Sequence, residues 1–156
     1  MKLLIAPVVW IAGVSLAFAA GDEEAKRLPD GPGKDAVVKV CLSCHGTGNF
    51  RKLRLTKDVW AEKVADMVDR GAESTEAEST AVVEYLTRTF GKGSKVRVNS
   101  APFEELKAVL GLTTEETKAL LAYREEKGEF KSWQELKSVP GIDAQKIENK
   151  KDLIAF

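Results

Sequence analysis

Residues 37–45 read Val37-Val38-Lys39-Val40-Cys41-Leu42-Ser43-Cys44-His45. Val37, Val40, Cys41 and Cys44 fall at i, i+3, i+4 and i+7, the spacing of one helical face. The run therefore predicts a helix that carries its apolar side into Cys41-Leu42-Ser43-Cys44-His45. C-x-x-C-H is the pattern of c-type haem attachment. Two thiols one helical turn apart add across the porphyrin vinyl groups as thioethers, and the adjacent histidine gives the iron an imidazole ligand. Cys41 and Cys44 are thus candidate covalent anchors for one haem c, and His45 the candidate proximal iron ligand. Gly46 and Gly48 let the chain leave close to the porphyrin. A thioredoxin-like dithiol would need a surrounding βαβ pattern, which is absent. A structural disulfide would leave His45, the one histidine in the chain, without a role. Two cysteines and one histidine are also too few for a four-ligand zinc site unless carboxylates help.

The other face of the iron calls for a second ligand. Trp60, Val64, Met67 and Val68 share a face at i, i+4, i+7 and i+8 in a segment that Thr56 can cap and Gly71 can close. Met67 is the candidate distal ligand. The bland reading makes it core filler on the same stripe, since methionine packs irregular gaps well. Phe50 to Lys57 brings Arg51, Lys52, Arg54 and Lys57 close to the haem motif. Arg51 or Arg54 could pair with a haem propionate, and the cluster could steer an acidic redox partner; a solvated loop is the plain alternative.

Lys34 to Gly91 resembles a class I c-type cytochrome domain, in which C-x-x-C-H is followed by a W-x3-V-x2-M-x3-G-A helix, here Trp60, Val64, Met67, Gly71 and Ala72. The last helix of that module is similar to the run around Tyr85, Leu86, Phe90 and Gly91. The resemblance implies a small all-α fold with one haem edge exposed for electron exchange.

Working toward the N-terminus, Gly21 to Gly33 is polar and rich in proline and glycine, and reads as an extended leader. Before it, Lys2 and the uncharged run from Leu3 to Ala20 end in Ala17-Phe18-Ala19, the pattern of a secretory signal cut after Ala19. An uncleaved anchor is the alternative. Once the signal is cut, Met67 is the one methionine left.

Across 156 residues, 24 basic side chains balance 24 acidic ones. Residues 20–95 hold 13 of each and residues 96–156 hold 10 basic and 11 acidic, so neither half hides a net charge. Such balance argues against a general polyanion binder. Each half is small enough to be marginal alone, which favours a cofactor in the first. Gly91-Lys92-Gly93-Ser94-Lys95 reads as a flexible joint between them.

The second half is again helical. Thr113 with Glu116 and Ser132 with Glu135 form capping boxes, and Asp143 can cap the last helix. Two helix–turn–helix units repeat at about 30 residues, from Leu110-Gly111-Leu112 to Pro140-Gly141-Ile142. With its V-N-x-A opening at Val98 and its stretch from Ala122 to Ser132, this half resembles the tandem helix-hairpin-helix domain of exported competence DNA receptors. The DNA-binding version of that domain uses G-x-G turns whose backbone N–H groups hold phosphate oxygens. Gly111-Leu112-Thr113 and Gly141-Ile142-Asp143 each lack the second glycine, and Asp143 puts a carboxylate near the phosphate position. Nucleic acid is therefore not the expected partner. A related fold in an extrinsic lumenal subunit of photosystem II implies protein docking instead.

The combined expectation is an all-α chain in which a small mono-haem cytochrome c module precedes a helix-hairpin-helix module. The boundaries are residues 1–19 signal peptide, 20–33 linker, 34–91 cytochrome c domain, 92–97 linker and 98–156 helix-hairpin-helix domain. The expected role is single-electron transfer by an exported, periplasmic protein with no stable membrane span after signal cleavage. The redox partner would be a periplasmic dehydrogenase or another cytochrome. No nucleophile–base pair is available beyond the haem ligand, so no catalytic residue is assigned and an electron carrier is expected rather than an enzyme. The alternative is an exported DNA- or protein-binding helix-hairpin-helix receptor with a structural or sensory haem.

Overall fold

The computed structural model describes residues 23–156. The signal segment expected at residues 1–19 lies outside them. The described chain is mostly helical. In its first part α1 (Lys34–Cys41), α2 (Gly48–Arg51), α3 (Lys57–Asp69) and α4 (Glu76–Phe90) follow in order. In its second part come β1 (Val96–Arg97), α5 (Phe103–Leu110), α6 (Thr114–Lys127), α7 (Trp133–Lys137), α8 (Ala144–Lys150), a 3-10 turn and β2 (Ile154–Ala155). Among the described residues no helix is long and apolar enough to cross a membrane.

Two hydrophobic clusters form. α1 and α3 both lie against α4, which brings Val37, Trp60, Val82, Tyr85 and Phe90 into one core. The close approach of α1 to α4 depends on Gly33. It stands at φ 86°, and a Cβ there would lie 2.5 Å from the carbonyl oxygen of Ala81; no other residue fits. The second cluster runs from Val96 through Leu106, Leu120, Leu136 and Ile147 to Ile154. β1 pairs in parallel with β2, Val96 opposite Ile154, so the two ends of this part are stitched together.

Several local expectations change. The helix that enters the cysteine motif stops at Cys41, and Leu42 to Cys44 form a turn instead of a continuing helix. Thr56 takes the N-cap position of α3, but its side chain makes no capping bond. A full capping box at α4 joins Thr75 and Glu78. Ser132 receives the Glu135 amide at 3.3 Å, whereas Glu135 reaches back to the Lys131 amide at 2.6 Å. The leader is not simply extended. Residues 23–26 are helical, Leu28 is buried, and Tyr85 donates its hydroxyl to the Pro29 carbonyl at 2.6 Å.

The joint at residues 91–95 is pinned. The Lys92 amide bonds the Leu55 carbonyl at 2.9 Å, and Arg54 Nε donates to the Ser94 carbonyl at 3.1 Å. Its glycines and lysines suggested flexibility, but one backbone bond and one side-chain bond to the preceding loop hold it.

Candidate functional site

The sequence-predicted ligands meet around one cavity of about 490 Å3, inside the roughly 300–1,000 Å3 of typical cofactor and ligand sites. Cys41, Cys44 and His45 line it from the end of α1 and the following turn, and Met67 lines it from α3. Val40, Trp60, Val64 and Leu86 supply apolar wall.

Each of the four has a distinct setting. Cys41 is half-buried, and burial pushes its thiol up to about 11. That is the reverse of the depressed thiolate of a reactive redox cysteine. Cys44 is exposed and no disulfide joins the pair. His45 Nδ1 lies 3.2 Å from the Gly46 carbonyl oxygen. A carbonyl only accepts, so this bond needs the proton on Nδ1, the tautomer that leaves Nε2 as the nitrogen able to face a metal.

Met67 shares its helix with Trp60, 2% exposed, and Val64, 8% exposed, yet is itself 37% exposed. Core filler would be covered. The backbone around it is fixed by a Schellman closure of α3. Gly71 at φ 103° donates to the Val68 carbonyl at 2.9 Å, and the Ala72 amide to the Met67 carbonyl at 3.0 Å. The Gly71-Ala72 pair thus ends the helix one turn beyond Met67.

The donor set fits a c-type haem: two unpaired thiols, an imidazole with a free ring nitrogen and an uncovered thioether border one mainly apolar cavity. Cys41 and Cys44 would hold the macrocycle, and His45 and Met67 its iron. Arg51 and Arg54 do not line up with the propionate role expected of them. Arg51 Nε and Arg54 Nη2 each donate to Glu105 of α5 at 2.8 Å, and both guanidinium groups lie over the Phe90 ring. The basic loop joins the two halves. No sequence signal paired it with an acid some fifty residues away.

In the second half the two hairpins meet at Glu116, a residue read from sequence only as half of a capping box. Its carboxylate accepts the Thr113 amide at 2.7 Å and, across the hairpins, the Asp143 amide at 3.0 Å. Lys146 Nζ donates to it at 2.7 Å. That ammonium, followed by the Thr113 amide, holds the carboxyl down to about 2. Gly111 (φ 69°) and Gly141 (φ 87°) head the two turns in the left-handed region, with open space beside each. Asp143 spends its carboxylate at home, accepting the Gln145 amide at 2.9 Å.

Residues 91–155 match the family model of the helix-hairpin-helix motif. ComE operon protein 1 of Bacillus subtilis (strain 168) is 38% identical over 64 residues, which is 41% of this chain and 31% of the relative. The chain therefore spans about a third of that relative's length. No solved structure matches. The C-terminal part carries a helix-hairpin-helix module, and this overturns the expectation that nucleic acid is an unlikely partner. The physical reason lies in the turns. A near-neutral net charge leaves room for local phosphate contacts by backbone N–H groups, both left-handed glycines are exposed, and Asp143 turns one carboxylate oxygen onto the Gln145 amide.

Proposed function

We propose that this chain is an exported carrier of one covalent haem, acting in single-electron transfer, whose helix-hairpin-helix module engages nucleic acid. The observation that carries the first part is the shared cavity of Cys41, Cys44, His45 and Met67, with Met67 left uncovered on an otherwise buried stripe. Haem bound there supplies a one-electron ferric–ferrous couple, with a thioether raising the potential relative to two imidazoles. The chain's own part is to anchor through two thiols, to present His45 Nε2 by fixing the proton on Nδ1, and to keep water off one face with Trp60, Val64 and Leu86. The couple needs no further proton acceptor, in keeping with an electron carrier rather than an enzyme.

Expression with a c-type haem maturation system tests it. The expected product has the mass of one added haem, a Soret band that survives denaturation, and reversible reduction. Cys41→Ala with Cys44→Ala should abolish covalent attachment. Absence of any haem increment in the unsubstituted protein ends this reading.

A second reading gives the haem a structural or sensory role in a helix-hairpin-helix receptor. It is favoured by the match of residues 91–155 to the family model of the helix-hairpin-helix motif. Slow or irreversible reduction together with tight, salt-dependent duplex binding, or rapid carbon monoxide binding at an open iron site, would select it.

A further inference from the structure

Between the two hydrophobic clusters lies a second cavity, a cleft of about 400 Å3 that shares Arg51 alone of the basic loop and none of the haem-site residues. Arg88 reaches it from the last turn of α4, Lys95 from the pinned joint and Arg97 from β1. Its wall carries four basic side chains against two carboxylates, Asp30 and Glu105. Neither carboxylate opposes an incoming anion freely. Glu105 has one oxygen on Arg51 and the other on Arg54, both at 2.8 Å, so that group of three is positive by one charge. Asp30 pairs with Lys34 at 2.8 Å. Lys95 and Arg97 are exposed, and neither forms an ion pair among the described residues. Ser94 also lines the cleft, and its hydroxyl is buried with no hydrogen-bond partner.

We propose that this cleft binds a phosphate group, carried either by a free nucleotide or by a nucleic-acid strand. Guanidinium forks match the oxygens of phosphate, and a lysine adds a point charge. The site lies outside the hairpin turns and needs no haem, so it stands or falls separately from the function proposed above.

The test is calorimetric titration of the full chain with pyrophosphate, adenosine monophosphate and a short DNA duplex, in parallel with the Lys95→Gln/Arg97→Gln variant. Both side chains are exposed, so the variant should melt at the same temperature. Pyrophosphate affinity should fall about tenfold or more in it, the effect of losing charge-assisted bonds. Equal loss for duplex, with pyrophosphate competing against it, assigns the cleft to a strand. Loss for the mononucleotide with duplex unchanged assigns it to a free phosphorylated ligand. No pyrophosphate binding at millimolar concentration, or identical binding in the variant, overturns the site.

Discussion

Met67 and Glu116 are each defined by what surrounds them and not by their residue type. Met67 is uncovered, so Met67→Ala should change stability by no more than about 0.5 kcal/mol, as at ordinary surface positions. In the haem-loaded protein the same substitution should remove the iron–thioether absorption band and lower the potential. A large loss of stability with an unchanged spectrum would return Met67 to the core. Glu116 behaves in the opposite way. Glu116→Gln removes the charge that ties Thr113, Asp143 and Lys146, and should cost about 1–3 kcal/mol, measured by denaturant unfolding. Because its carboxyl sits at about 2 against an ordinary 4.5, its contribution is complete above pH 4.5 and is lost as pH falls toward 2. The unsubstituted protein should therefore lose stability more steeply across that window than Glu116→Gln. That Cys41, Cys44, His45 and Met67 belong together around one cavity was legible because cysteine, histidine and methionine are so scarce here. Glu116 was half legible. Its partner in the same turn follows from the Thr113-x-x-Glu116 pattern, whereas the Asp143 amide is brought to it only by the folding of one hairpin onto the other.

Among the elements, start signals were read well where a threonine or serine and a glutamate three residues on preceded an apolar run, and less well where the flanks were polar. The Thr75–Glu78 box at α4 has the same grammar as Thr113–Glu116, but lies in a run of glutamates and serines that blurs the boundary. There the Glu78 carboxylate receives the Thr75 amide at 2.9 Å and also pairs with Lys39 of α1. Thr75→Ala should accordingly cost about 1 kcal/mol, as the loss of an N-cap side chain does. Thr56→Ala, at a cap position whose hydroxyl makes no bond, should be close to neutral. Equal effects at the two sites, by thermal or denaturant unfolding, would mean that the capping bond at α4 contributes nothing. The leader was misjudged for a related reason. Proline and glycine signal an irregular path, and an irregular path can still be a packed one when Leu28 enters the core and the Pro29 and Pro32 carbonyls accept from Tyr85 and Arg88.

At the scale of the molecule, charge counts by half described each part as nearly neutral and left them unconnected. The connection is a buried ion group. Arg51 and Glu105 are 3% and 4% exposed, Arg54 completes the carboxylate's second oxygen, and Phe90 of the first core lies beneath both guanidinium groups. Burial of ions is costly, and such a group need not stabilise the fold beyond what apolar residues of similar size would. Removing one member is a different matter, since it strands the others. Glu105→Gln keeps the volume but leaves Arg51 buried without a counter-ion, and should cost about 3–5 kcal/mol. The two cores share few other links besides the pinned joint at residues 91–95. The second is closed on itself by the pairing of β1 with β2. The loss should therefore appear as a splitting of one calorimetric transition into two, with the C-terminal core melting on its own. A single transition shifted by less than about 1 kcal/mol, within the range of an exposed ion pair, would show that the two halves are held in register by the backbone at the joint and not by this group of charges.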